Sequence, residues 1–279
     1  MIKNKRILVT GGAGSIGQEL VRQLAPKNKI FILDINENGA FSLRQELKQK
    51  GYWVHSRTGD VRNKETLFDV FSDFKPQVVI HAAALKHVTP CEEYPEEAVE
   101  TNIIGTLNLI REAKTWECLE KFVFISTDKV VNAKGIMGIT KLAAESIVRS
   151  QGKKFVAVRF GNVMASRGSV LEIWQKQFDQ NEPLTITDMT MERYMMTIPQ
   201  ACELVIKATE EGKGGEVFIL KMGKQVKVVD LAQKIIEMSG ENKDIRNIGI
   251  RAGEALSERL MTTDEEAIAI QKENYYIIK

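Results

Sequence analysis

Through the first 160 residues, short apolar runs alternate with amphipathic stretches. The runs Arg6–Thr10, Ile30–Asp34, Val54–Asp60, Val78–Ala83, Phe122–Ser126 and Phe155–Phe160 are rich in Val, Ile and Phe and apolar on both faces. That is the pattern of parallel strands buried between helices. The spacing predicts helices over Ile16–Leu24, Glu65–Phe71, Pro95–Lys114 and Lys141–Gln151. Strand–helix alternation of this kind predicts an α/β fold built on a doubly wound parallel sheet.

After Gly161 the rhythm loosens. A helix is expected at Val170–Gln180, a strand at Phe218–Met222, a helix at Val229–Ser239 and a last strand at Tyr275–Ile278. The expected organisation is a dinucleotide-binding domain over residues 1–160 and a smaller substrate-binding lobe over 161–279. The second is partly interleaved with the first, and the substrate cleft lies between them.

Composition narrows the function classes. A chain of 279 residues with 43% hydrophobic and 27% charged residues buries a full core and is not disordered. The net charge of +2 comes from 39 basic and 37 acidic residues without a basic block, which argues against a nucleic-acid surface. Cys91, Cys118 and Cys202 share no CxxC spacing and read as isolated thiols of a reducing compartment. His55, His81 and His87 show no zinc-ligand spacing, so no metal is expected. Met1–Arg6 is polar and runs straight into a strand, and no apolar run approaches the roughly 20 residues a membrane span needs. A soluble, cytoplasmic protein that forms homo-oligomers is expected.

The first strand runs into Thr10-Gly11-Gly12-Ala13-Gly14-Ser15-Ile16-Gly17. Glycines at 11, 14 and 17 permit a tight turn, let a pyrophosphate approach the backbone, and let the helix pack on the sheet. The N–H groups of Ser15, Ile16 and Gly17 then open a helix whose dipole favours an anion. This Rossmann-like start implies a nicotinamide dinucleotide. Asp34, at the end of the second strand, stands where an acid binds the adenosine ribose, although a helix-capping role is the alternative. Ile35-Asn36-Glu37-Asn38 offers no arginine for a 2′-phosphate, so NAD is favoured over NADP. Asp60 and Val61 fall at the adenine edge, and Ala82, Ala83 and Ala84 are small enough to let the cofactor lie against the backbone.

The fifth strand ends in Ser126-Thr127-Asp128-Lys129. Ligands of open parallel sheets bind outside the carboxyl ends of the strands, so these groups form either an acid/base set or an ordinary capped turn. Several segments point further: TGGAGSIG (10–17), HAAALKHV (81–88), EAVETNIIGT (97–106), STDKVVN (126–132) and MGITK (137–141). RFGNVMASRGSV (159–170), ERYMMTIPQA (192–201) and RAGEALSERL (251–260) continue the series. With them the chain resembles the extended short-chain dehydrogenase/reductases, and within these the UDP-N-acetylglucosamine 4,6-dehydratases of the polysaccharide-biosynthesis group. The glycine turn is common to the superfamily, whereas STDK and RFGNV-x-x-SRGSV are far more specific.

The resemblance implies a lyase that works through a transient 4-keto sugar. Hydride leaves C4 for a tightly bound nicotinamide and returns to C6, so the cofactor is recycled. It implies Asp128 as the acid at C6 and Lys129 as the base at C5, with inversion at C5. A lysine serves as a base only where its pKa is lowered by burial or neighbouring charge. The superfamily's Tyr-x-x-x-Lys pair is matched by Lys141, but Met137 stands at the tyrosine position. Methionine accepts no proton, so the group that takes the C4 hydroxyl proton is left open among Thr127, Lys141 and a water. Lys141 is expected to bind the nicotinamide ribose.

By the same resemblance, Asn102 orders the active-site backbone or water beside the cofactor; Lys86 and His87, which follow the fourth strand, either line the nicotinamide end or belong to a surface loop. Asn162, Arg167, Gly168, Ser169, Arg193 and Arg251 match positions around the UDP diphosphate and uridine. Arginine suits a phosphate because its donors form a planar fork. The proline and lysine usual in the last segment are here Ala252 and Ala255. The expected partner is a UDP-linked amino sugar. A nucleotide-sugar epimerase or reductase is the alternative enzyme, and a non-catalytic NAD(P)-binding regulator, supported by Met137, is the alternative of another class.

Overall fold

The structure, a computed structural model, describes residues 2–279. Its strands are β1 (Arg6–Thr10), β2 (Lys29–Asp34), β3 (Val54–Thr58), β4 (Val78–His81), β5 (Lys121–Ile125) and β6 (Phe155–Arg159). The second half of the chain adds β7 (Asn162–Val163), β8 (Leu184–Ile186), β9 (Glu192–Arg193), β10 (Met195–Met196) and β11 (Val217–Leu220). The last four are β12 (Val226–Lys227), β13 (Ile245–Asn247), β14 (Ile270–Gln271) and β15 (Tyr275–Ile278). Helices α1 (Ser15–Leu24), α2 (Glu37–Gln49), α3 (Lys64–Phe74), α4 (Val88–Glu93) and α5 (Pro95–Ala98) come first. They are followed by α6 (Thr106–Lys114), α7 (Ile136–Arg149), α8 (Val170–Asp179), α9 (Ile198–Glu211), α10 (Val228–Ser239) and α11 (Thr263–Ile268).

Nine strands form one sheet in the order β14-β15-β11-β6-β5-β4-β1-β2-β3. The run from β3 to β11 is parallel, and β15 closes the edge antiparallel to β11 with Val217 opposite Ile278. Successive strand residues point to opposite faces, so β1 sends Ile7 and Val9 into one core and Leu8 into the other. The first core is closed by α1, α2 and α9 through Leu20, Leu43 and Val205. The second is closed by α3, α6 and α7 through Phe71, Leu109 and Val148. The strand order reverses between β1 and β4, and that switch point opens the crevice where such sheets take their ligands.

The sheet crosses the boundary expected at residue 160, because β11, β14 and β15 all come from the second half. The smaller lobe has its own core of Trp174, Leu184, Ile186, Met191, Val228, Val229 and Ala232. Its strand pairs β8–β13 and β9–β12 join chain segments on either side of β11. A buried clamp ties the last part of the chain to the sheet. Arg159 donates to Glu145 at 2.6 Å, to Glu265 at 2.9 and 3.0 Å, and to the Leu260 carbonyl at 3.1 Å.

The helix expected over Pro95–Lys114 is continuous but contains a π-helical stretch, Val99–Gly105, between α5 and α6. The wider turn coincides with a buried Asn102 whose side chain bonds outside its own helix. The helix expected from Lys141 begins five residues earlier, at Ile136, so Met137 lies within it.

Candidate functional site

The glycine turn sits where β1 and β4 meet. A Cβ on Gly11 would lie 2.5 Å from Ala83 N and 2.6 Å from the Ala82 carbonyl carbon. A Cβ on Gly17 would run into the Gly11 carbonyl. Both glycines are therefore required by packing, and Gly11 also has φ +67°. Gly14 is the N-cap of α1, whose first N–H groups, from Ser15 to Gly17, have no acceptor within the helix. Asp34 reaches across from β2: its Oδ2 accepts from Ala13 N at 2.8 Å and its Oδ1 from Asn36 N at 2.8 Å. Turn, helix end and carboxylate fit a dinucleotide. Ala82, Ala83 and Ala84 line the same crevice as half-buried residues. Asp60 is turned onto Arg62, which donates to it at 2.8 Å from both its N and Nε, and Val61 is buried beneath Gly105.

Asn102 braces the loop after β4. Leu85 N donates to its Oδ1 at 2.9 Å, while its Nδ2 donates to the Leu85 carbonyl at 3.0 Å and to Thr140 Oγ1 at 3.1 Å. His81 belongs to the core. Its Nδ1 is 2.7 Å from Thr10 Oγ1 and its Nε2 is 2.9 Å from Thr106 Oγ1. Burial, reinforced by the Lys141 charge, pushes it down to about 3, so it is neutral.

The loop from Arg167 to Ser169 closes over the crevice. Arg167 N donates to Ser15 Oγ at 3.0 Å and Lys86 Nζ to the Arg167 carbonyl at 2.7 Å. Gly168 has φ +69° and rests on the His87 ring, leaving no room for a Cβ. Burial, then the Lys86 charge, lowers the His87 pKa. Ser169 is the N-cap of α8, with its buried Oγ unpartnered, and the Arg167 side chain is exposed.

Behind this loop lies a cavity of about 220 Å³, walled by Lys129, Met137, Asn162, Arg193, Arg251 and Glu258. Lys129 Nζ lies 3.0 Å from Asp128 Oδ1 and 2.9 Å from Asn162 Oδ1. Asp128 is fully buried; Thr127 Oγ1 also donates to its Oδ1 at 3.0 Å, and its Oδ2 has no partner. The short turn is capped by Thr127, which accepts from Lys129 N. The segment is thus a capped turn that also brings the Asp128 carboxyl and the Lys129 ammonium together at the cavity wall.

Met137 and Lys141 are both buried on α7, but only Met137 reaches the cavity wall. Lys141 Nζ donates to the Ile125 carbonyl at 2.5 Å and sits 4.0 Å above the Phe124 ring. Burial, partly opposed by Glu145, pushes its amine down to about 7. Arg193, expected at the diphosphate, gives its donors to the carbonyls of Glu192, Leu256 and Ala255 at 2.8, 3.1 and 2.7 Å. It therefore pins the 255–256 backbone over the cavity. Arg251 is exposed at the mouth.

Glu258 was not singled out by the residue patterns. Only its place in the segment 251–260 pointed to it, and charge alone does not distinguish it from Glu254. Its Oε1 lies 3.7 Å from Lys129 Nζ and 4.0 Å from Arg193 Nη2. Burial, then the nearby Asp128 charge, outweighs these two cations and raises its carboxyl above the usual range.

The family model described as "Polysaccharide biosynthesis protein" matches residues 7–279. The capsular polysaccharide biosynthesis protein CapD of Staphylococcus aureus is 46% identical over 277 residues, 95% of this chain. The chain spans about half the length of that relative, 46% of it. A protein named UDP-glucose 4-epimerase from Rickettsia bellii is 37% identical over all of this chain and 84% of its own length. Among solved structures, Pen from Bacillus thuringiensis superimposes with a TM-score of 0.92 at 37% identity, covering 99% of this chain and 88% of that one. The chain belongs to the polysaccharide biosynthesis protein family.

Proposed function

We propose that the chain is a nucleotide-sugar 4,6-dehydratase acting on UDP-GlcNAc or a related UDP-N-acetylhexosamine, in the making of a surface polysaccharide. The observation that carries the reading is the cluster at the cavity wall: Lys129 Nζ within 3.0 Å of Asp128 and 2.9 Å of Asn162. An epimerase acting at C4 has no use for a second acid/base pair beyond the nicotinamide. A dehydratase needs one, because the C5 proton and the C6 hydroxyl must leave together. The name of the relative CapD supports the polysaccharide setting.

The nicotinamide, when bound, supplies reversible hydride chemistry to the sugar. The Gly11–Gly17 turn and the α1 N-terminus would hold its pyrophosphate, and Asp34 its ribose. A carboxylate there disfavours a 2′-phosphate, which supports NAD over NADP. Lys129 takes the C5 proton in the 4-keto sugar, and Asp128 supplies the proton that leaves with the C6 oxygen. Thr127's hydroxyl proton is committed to Asp128, whereas Lys141 is partly a neutral amine at neutral pH. Since Lys141 does not reach the cavity wall, this supports it as the group that accepts the C4 hydroxyl proton by way of a water where Met137 cannot. The N-terminus of α8 beside Gly168, with Arg251 at the cavity mouth and the exposed Arg167 on the preceding loop, suits the UDP diphosphate.

The printed name of the Rickettsia relative favours a second reading, epimerisation at C4. Incubation with UDP-GlcNAc without added cofactor, followed by mass spectrometry and NMR, separates the two. Loss of one water is expected. An unchanged mass with inverted C4 would establish the epimerase, and an unchanged sugar would favour a non-catalytic binding protein.

A further inference from the structure

We infer that Glu258 is a positioning residue for the Lys129 proton: it is the cavity-facing carboxyl that takes the proton of the Lys129 ammonium and leaves a free amine. The inference rests on the dehydratase reading for the use made of that amine.

Lys129 can serve as a base only after it has lost a proton. Three side-chain oxygens surround its Nζ: Asn162 Oδ1 at 2.9 Å, Asp128 Oδ1 at 3.0 Å and Glu258 Oε1 at 3.7 Å. The Asn162 amide oxygen does not hold a proton in water. Asp128 is fully buried, with Oδ1 accepting from Thr127 and Lys129 and Oδ2 unpartnered. In the dehydratase reading its carboxyl already carries the proton that leaves with the C6 oxygen, so it does not take that of Lys129 as well. Glu258, by contrast, lines the cavity together with Lys129 and is held only by the long ion pairs to Lys129 and Arg193. Its own backbone is fixed, since its carbonyl accepts from Gln225 Nε2 at 2.7 Å. The charged groups facing it are Lys129, Asp128 and Arg193.

The step moves one proton. The Lys129 ammonium and the Glu258 carboxylate become an amine and a carboxylic acid, and the net charge of the pair does not change. Burial favours this direction, because two desolvated charges disappear. A pair that shares one proton keeps a constant fraction in each arrangement between its two macroscopic titrations. The free amine of Lys129 is therefore present at a constant level over the neutral range. Without Glu258, the amine appears only by titration into solvent, and its amount climbs with pH.

The test uses the cofactor-loaded protein and its Glu258→Gln variant between pH 6 and 9. Two readouts are taken: the rate of water loss from UDP-GlcNAc, and the acetylation of Lys129 by trace acetic anhydride, followed on its peptide by mass spectrometry. The wild type should give flat profiles in both. Glu258→Gln should give profiles that rise about tenfold per pH unit. It should also fall at least tenfold below the wild type at neutral pH. Variant profiles with the wild-type shape overturn the inference, even if overall activity is reduced by a structural effect. Should the variant fail to fold, the wild-type labelling decides alone, since a slope like that of a solvent-exposed lysine contradicts proton sharing. A wild type that removes no water sinks the dehydratase reading, while the labelling still reports on Glu258.

Discussion

Asn102 and Leu85 form a closed ring of two hydrogen bonds, with the carboxamide of the one engaging both the N–H and the carbonyl of the other, at 2.9 and 3.0 Å. The ring holds the loop after β4 at the height where the glycine turn approaches it. Asn102→Ala removes both bonds and the one to Thr140. It should cost about 1–3 kcal/mol of stability. Denaturant unfolding checks it; a change within 0.5 kcal/mol, about the range of a neutral surface substitution, would show that water replaces the amide.

Lys141 gives the protein a pH dependence of known sign. Its amine is pushed from 10.5 to about 7 by burial. Between these values the unfolded chain binds the extra proton, so stability rises with pH through that window. Below about 7 the full cost of burying the ammonium is present, and above 10.5 it is gone. Lys141→Met should therefore stabilise the fold at pH 7, and the gain should shrink steadily toward pH 10. Chemical denaturation at several pH values measures it, and a difference independent of pH would refute the burial argument.

Met137 fills the cavity wall among Cys91, Ala98, Val88 and Ile136. Its contribution is volume, so Met137→Leu should keep turnover within a few-fold, as volume-conserving swaps do. A loss of several orders of magnitude with folding and cofactor content unchanged would give the sulfur a chemical role.

On the proposed dehydratase reading, Lys129→Ala should separate oxidation from elimination. Adding UDP-GlcNAc to the loaded variant should produce a near-ultraviolet nicotinamide signal without release of dehydrated sugar, and solvent deuterium should not enter C5. Asp128→Asn should differ, with exchange at C5 continuing while the C6 hydroxyl leaves slowly. Turnover of Lys129→Ala close to that of the wild type would require another base.

Arg159 and Glu145 are buried at 2% and 1% exposure, 2.6 Å apart. Replacing Glu145 by Gln leaves a buried guanidinium with Glu265 as its remaining anion. A loss of up to about 3–5 kcal/mol is expected if Glu265 does not compensate. The double variant with Glu265→Gln should reveal coupling between the two acids in a thermodynamic cycle.

Strands β1, β2, β4, β5 and β6 were legible because both their faces are largely apolar, whereas β3, with the sequence VHSRT, is a polar edge strand that this pattern does not describe. The ends of β1 and β2 fall where expected, while the runs for β3, β4, β5 and β6 extend one or two residues too far, as at Val78–Ala83, where the small residues after β4 line a crevice instead of continuing the pairing. Helix α9 was missed although Thr197 and Gln200 form a capping box with Pro199 in the first turn. Its segment had been read for chemistry, as part of ERYMMTIPQA. The glycine turn was legible from its spacing and its place between a strand and a helix, since only backbone geometry is at stake there. The lysine–carboxyl cluster was half legible. Asp128 and Lys129 are adjacent in sequence, but Glu258 reaches them from 129 residues away by the folding-over of the 251–260 segment, which no local pattern encodes. The resemblance places Arg193 beside the UDP diphosphate and uridine, whereas its donors are spent on carbonyls, two of them in that same segment.

The position of β11 between β6 and β15 governs how the cavity walls could be exchanged between members of this family. The cavity lobe is made of two excursions from the sheet, residues 162–196 and 226–268, which meet through β8–β13 and β9–β12. A chimera joined once near residue 160 would import a foreign β11 and β15 along with the pocket, and would have to rebuild the sheet edge. Grafting the two excursions together, with α9 and β11 kept from the host, transplants the pocket walls while leaving the sheet intact.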